Sequence, residues 1–245
     1  YRQFAAAAAL GFVFGAGNFA TIYLIPVFVQ TVQNFTPTDA GLVTMPAGFV
    51  VMLFFPIAGR MVDVFPARNL TIIGLLLFAF GSVLLHLTDV NTAFLTLVVY
   101  VIVGRIGQSI MLPAINVSAL NALPPEKLNN ASGTINFVRL MGGAFGVNLL
   151  VVFMEKRTEI HSAALTTTQT HDNPQSRLLL DQIAELLARG GASDALLQPG
   201  SLHFLGRVIE AQAYTMGFQD SFLITAVVFI FALVPAFMLG NSKKQ

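Results

Sequence analysis

QFAAAAALGFVFGAGNFATIYLIPVFVQTVQNFTPT, residues 3 to 38, contains no Asp, Glu, Lys or Arg. A helix rises ~1.5 Å per residue, so ~20 residues cross the ~30 Å hydrocarbon layer of a bilayer. Charge-free runs recur at 40–59, 69–88, 106–125, 140–154 and 221–242. Backbone polar groups in lipid must be satisfied within the chain, which at this apolar density means helices. The sequence therefore reads as an all-α polytopic membrane protein with six transmembrane helices. They are placed near residues 4–30, 38–59, 69–87, 92–122, 131–154 and 215–240.

Composition agrees. Charged residues make up 10% of the chain and hydrophobic ones 55%, where a soluble domain carries about a quarter charged. A net charge of +1 offers no basic field for nucleic acid, so partners are sought in the lipid bilayer. The absence of cysteine excludes disulfides, thiolate metal sites and thiol nucleophiles. No H-E-x-x-H, G-x-S-x-G, P-loop or paired intramembrane aspartate is present, and neither enzyme activity nor a cofactor is expected. His161, His171 and His203 lack ligand-like spacing, so no metal is expected either. Because the chain opens on Tyr1, its start reads as a cut through a longer protein.

Three regions follow: five transmembrane helices over 1–154, an extracytoplasmic segment over 155–214, and a last transmembrane helix with a cytoplasmic tail over 215–245. Arg2, Arg60, Arg68, Lys127, Lys243 and Lys244 fall on one side of this arrangement, whereas the short turns near 31–38 and 88–91 carry no Lys or Arg. The positive-inside rule makes the basic side cytoplasmic, with Lys156 and Arg157 as the opposing signal. Thr36-Pro37-Thr38-Asp39 predicts a capped start to the second helix. In the outer segment, Asn173-Pro174 predicts a short amphipathic helix ending at Gly190-Gly191, with Leu179, Ile183, Leu186 and Leu187 on one face. It reads as lying on the bundle or membrane surface, or as docking another protein.

Intramembrane charge is the best pointer to function, since each such residue costs at least ~2.5 kcal/mol at a helix centre unless paired or hydrated. Arg105 sits too deep to snorkel and must face the bundle interior or water. It reads either as a structural arginine bonded to backbone carbonyls or as a group in substrate or proton traffic. Arg139 lies nearer the cytoplasmic end and has the snorkelling option. Polar candidates at depth are Asn18, Thr21 and Tyr23 in the first span, Gln108, Ser109, Asn116 and Ser118 in the fourth, and Asn136 in the fifth. They line a cavity or bond helix to helix. Gly142, Gly143 and Gly146, like Gly11 and Gly15, form small-residue faces for close helix packing. Asp39, Asp63, Asp89 and Asp220 all fall near interfaces, leaving no carboxylate at depth to carry a proton. Pro26, Pro46, Pro56, Pro113 and Pro235 predict bends.

Gly59-Arg60-Met61-Val62-Asp63-Val64-Phe65-Pro66-Ala67-Arg68 resembles the G-x-x-x-D-x-x-G-R-[RK] loop of major facilitator superfamily transporters, with Gly59, Asp63 and Arg68 matching. Gly104-Arg105-Ile106-Gly107-Gln108 resembles that superfamily's R-x-x-Q-G region, with Ser109 in place of its Gly. The run Leu123-Pro124-Pro125-Glu126, then Ala131-Ser132-Gly133, then Asn136-Phe137-Val138-Arg139 before Gly142-Gly143 is similar to a stretch of the fourteen-helix drug:proton antiporters of the EmrB/QacA type.

This resemblance implies one half of a major-facilitator bundle, the C-terminal six helices, packed against a missing N-terminal half. It further implies export of a hydrophobic small-molecule substrate in exchange for protons across a bacterial inner membrane. A periplasmic adaptor protein is an implied partner, and Gly59, Asp63 and Arg68 become a cytoplasmic gating loop. Proton carriers are then expected mainly in the other half. The alternative is a six-helix membrane scaffold that recruits an adaptor without transporting.

Overall fold

The computed structural model describes residues 2–124, 126, 128–169 and 173–240; Pro125, Lys127, His171, Lys243 and Lys244 lie outside the described residues. It is all-α, with no strand among the described residues. The elements are α1 (Arg2–Thr31), α2 (Pro37–Val64), α3 (Ala67–His86), α4 (Phe94–Leu120), α5 (Leu128–Thr168), α6 (Pro174–Arg189), α7 (Asp194–Phe231) and α8 (Leu233–Phe237). Six stretches are long and apolar enough to span a membrane, the last running through α7 and α8.

The expected cap of α2 is present in full. Thr36 accepts from the Asp39 backbone N–H at 3.2 Å, the Asp39 carboxylate accepts from the Thr36 N–H, and Pro37 occupies the first turn.

Two boundaries differ from expectation. The fifth helix continues from 154 to Thr168, and the last starts at Asp194 rather than 215. Hydropathy falls where Glu155, Lys156 and Arg157 begin, but these residues and the alanines after them are sound helix formers, so the helix outlasts the apolar run. An exposed Lys156–Glu159 pair at 2.7 Å follows the helical spacing.

Prolines behave unequally. Pro26, Pro46, Pro56 and Pro113 lie inside continuous helices. Pro235 has no N–H to offer the carbonyl one turn back, and the last span divides there into α7 and α8.

The chain divides into two compact units, Tyr1–Val152 with Gln219–Gln245, and Phe153–Phe218. In the first, a core joins Leu10 and Phe14 of α1, Phe78 of α3, Met111 and Ile115 of α4 and Phe229 of α7. The rings of Phe78 and Phe229 lie 4.1 Å apart, centroid to centroid. Helices α3 and α4 touch backbone to backbone, and a Cβ added to Gly107 would sit 2.7 Å from the Gly74 carbonyl oxygen.

The turn between α3 and α4 gathers side-chain amides from two other segments. Gln33 donates to the Asp89 and Thr92 carbonyls at 3.2 and 3.0 Å, and Gln219 donates to the Thr88 carbonyl at 2.8 Å. The Gln219 carbonyl in turn meets His86 Nδ1 at 2.9 Å.

In the second unit, α6 is capped as expected. Asn173 accepts from the backbone N–H groups of Gln175 and Ser176. Of the expected face, Leu179, Ile183 and Leu187 do turn inward and Leu186 does not. Ser176 and Ile183 are buried and Leu180 and Leu187 half-buried, while Leu186 is exposed. Residues 176, 180, 183 and 187 keep the 3.6-residue period better than a stripe through Leu186.

Candidate functional site

On α4, Gly104 and Gly107 face α3, which turns Arg105, Gln108, Ser109 and Leu112 the other way. These four, spaced three, four and seven residues on from the arginine, share one helical stripe. They line a cavity of about 330 Å³ with Phe14, Asn18 and Phe19 of α1, Val51 and Phe55 of α2, and Arg139 and Leu140 of α5.

Arg105 Nη1 donates to Asn18 Oδ1 at 2.9 Å and to Gln108 Oε1 at 2.7 Å. Both of these partners are side-chain amides rather than backbone carbonyls. A guanidinium has no acceptor, so both amides must turn their oxygens towards it. Gln108 is 5% exposed, and its Nε2 is left without a partner. The Ser109 hydroxyl donates to the Arg105 carbonyl at 2.8 Å, keeping its own polarity on the helix.

Arg139 reaches the same cavity from α5 and donates through Nη2 to Asn136 Oδ1 at 2.6 Å. Neither arginine pairs with a carboxylate among the described residues, and none lines the cavity.

The other candidates fall elsewhere, for reasons of helical phase. Asn116 shares the Arg105 stripe but lies eleven residues along, or ~16 Å of helix. It lines a separate space of about 170 Å³ with Asn136. Tyr23, five residues beyond Asn18, points ~140° round the helix; it is half-exposed and outside the cavity. What the sequence reading missed is the apolar wall, Phe14, Phe19, Val51, Phe55 and Leu112, which resembles any other lipid-facing residue in a one-dimensional reading. The glycines at 74, 81, 104 and 107 were the available signal for which face of α4 is occupied by α3.

The small faces of α1 and α5 meet. A Cβ on Gly15 would collide with the Arg139 carbonyl, on Gly142 with the backbone of Phe12, on Gly143 with the Phe19 ring and on Gly146 with Ala16, whereas Gly11 meets only the Ile135 side chain at 3.9 Å. This contact carries Arg139 to the cavity edge.

At the end of α2, Gly59 and Asp63 are exposed, and Asp63 makes no hydrogen bond or ion pair among the described residues. Arg68 instead lies over the Phe237 ring, 5.2 Å from its centroid.

The sequence model of the Major Facilitator Superfamily matches residues 2–147. The chain is 27% identical over 243 residues to the colistin resistance protein EmrB of Acinetobacter baumannii, covering 99% of this chain and 47% of that protein. It is 26% identical to the multidrug export protein EmrB of Haemophilus influenzae over 87% of this chain and 41% of that one. A similarity of 29% to the lincomycin resistance protein LmrB of Listeria innocua covers 55% of this chain and 29% of the relative. The chain thus spans at most about half the length of these curated relatives. A solved bacterial homolog of the human lysosomal transporter Spinster, inward-facing and occupied, superposes with a TM-score of 0.67 at 15% identity, over 97% of this chain and 49% of that one. That likeness concerns the fold, a six-helix module of a larger bundle.

Proposed function

The chain belongs to the Major Facilitator Superfamily, a class of multi-pass membrane transporters and not of enzymes, and on that premise we propose that it is the C-terminal half of a proton-coupled multidrug efflux transporter of the fourteen-helix EmrB/QacA type. In this reading it exports hydrophobic compounds from the bacterial cytoplasm across the inner membrane by alternating access. The observation that carries it is the cavity itself, where four spans bring two arginines, an asparagine and a glutamine to one apolar-walled space.

Two features support a second half. Met52 and Leu53 of α2 and Leu149 of α5 present bare apolar faces, each with more than half of its surface open. An N-terminal bundle seated there would close the cavity from the far side. No carboxylate lines the cavity among the described residues, which supports a reading in which proton carriage falls to that other half. In this account Gly59, Asp63 and Arg68 belong to the cytoplasmic loop that opens and shuts the inner face.

Arg105→Ala in the complete gene product tests the reading. Removing the donor strands Asn18 and Gln108, and drug efflux should fall at least ~tenfold while membrane abundance falls less than ~twofold. Equal losses of both would make Arg105 a packing residue and remove the site's main support.

One observation favours a second role beside transport. Residues 153–218 form their own compact unit with two cavities of about 740 and 660 Å³. A periplasmic adaptor is the partner this unit would recruit, and crosslinking from 155–214 alongside the efflux assay separates recruitment from transport.

A further inference from the structure

The two cavities of the second unit share Gln169, Leu202 and Leu205, so they run into each other as one groove. Its lining follows α7 from Asp194 to Tyr214 along a stripe through Gln198, Ser201, Leu205 and Ile209, over ~30 Å at helical rise. Leu180 and Ala184 of α6 add to the apolar part, and Leu202, at the junction, is 52% exposed. The charged part is one-sided. Glu155, Glu159 and Glu210 line one cavity and Asp181 and Asp194 the other, against Arg207 and Arg177. Lys156 and Arg189 of the same unit do not line it; they pair with Glu159 and Glu185 at 2.7 and 2.6 Å. The side chains of Glu155, Asp181, Asp194 and Glu210 make no hydrogen bond or ion pair among the described residues.

From this we infer that the groove docks a basic amphipathic helix of a partner protein, with the helix's apolar face on the α7 stripe and its Lys or Arg against the unpaired carboxylates. The proposal rests on the reading of residues 153–218 as a recruiting unit and names the chemistry of what that unit recruits. An open trough of this length suits a helix, whose anchors recur at the same three- and four-residue spacing as the lining. A compact small molecule binds instead where most of its surface is enclosed. Exposed charges contribute little one by one, so the acidic lining selects among helices more than it holds them.

The test uses the complete gene product in phosphatidylcholine nanodiscs, with fluorescence anisotropy of three labelled peptides about 20 residues long, the span of the groove. The first sets Lys and Leu on opposite faces of a helix, the second has Glu in place of each Lys, and the third scrambles the first so that no face is apolar. Protein-free discs give the lipid background. Above that background, the Lys/Leu helix should bind at least ~tenfold tighter than either other peptide, as about three exposed pairs at ~two- to threefold each predict. Glu155→Gln, Asp181→Asn and Glu210→Gln together, all at exposed positions, should weaken it by ~tenfold. Glu185→Gln, on α6 but off the groove, should change it less than ~twofold. Leu202→Ser removes apolar contact without touching charge and should weaken it by ~threefold or more.

Wild-type protein that holds the Glu/Leu helix or the scrambled peptide as tightly as the Lys/Leu helix overturns the proposal, and so does a loss from Glu185→Gln equal to that from the triple variant. Crosslinking from 155–214 in cells separates this outcome from failure of recruitment. Selective peptide binding with no partner crosslinked sinks the recruiting reading while the groove's selectivity holds, whereas a crosslinked partner whose capture survives the triple variant keeps recruitment and sinks the groove.

Discussion

Helices α2 and α3 are equally apolar, yet half of the most apolar stretch of α3 is buried inside the protein and only 17% of that of α2. The same split separates α4, half buried, from α5 at 17%. Apolarity therefore reports depth in a bilayer and not neighbours, because lipid tails solvate a leucine as well as another helix does. Contact is written in the small residues instead. Gly74 and Gly81 face Gly107 and Gly104 across the α3–α4 seam, whereas Gly41, Gly48 and Gly59 of α2 have nothing against them. An apolar face without a partner is what a lipid annulus or a second bundle would cover.

The contrast can be broken at its strongest point first. Phe78→Ala opens a hole beside Phe229 in the core and should destabilise the bundle by on the order of 3 kcal/mol, read as lost membrane abundance and a lower melting midpoint in detergent. Gly107→Leu drives a side chain into the Gly74 carbonyl and the backbone at Phe78, at ~1–3 kcal/mol, while Gly48→Leu on α2 should melt like wild type. Equal melting of these two leucine variants would erase the distinction between a packed seam and a bare face. At the small end, Phe49→Ala on the exposed side of α2 should shift stability of the 245-residue chain by no more than about 0.5 kcal/mol. A larger loss that appears only in the complete gene product would mark α2 as covered by protein rather than lipid.

Much of the bundle was legible because bilayer thickness converts composition into element count with little ambiguity. The Thr36 cap was legible for a different reason, since four adjacent residues contain both halves of its reciprocal bond. Residues 155–168 and 194–214 were read as part of an outer segment beyond the spans; they extend α5 and open α7 because charge ends an apolar run without ending a helix.

At the site, Arg105, Gln108 and Asn18 could be picked out by their cost at depth, and they do meet. Tyr23 and Asn116 could not be excluded on the same ground. Which way each points depends on where α3 presses against α4, a fact spread over glycines dozens of residues apart. The spacing rule for α6 failed at Leu186 on a smaller scale, since several leucine stripes can be drawn on one short helix and only packing chooses among them.

The amide contacts at the turn after α3 constrain mechanics. Gln33 from just beyond α1 and Gln219 from α7 both grip backbone carbonyls between Thr88 and Thr92, so three separate stretches of chain are clasped at one rim. A rim fastened in this way couples the end of α1, the α3–α4 turn and α7 to one another, so that displacing any one of them there first breaks an amide-to-carbonyl bond.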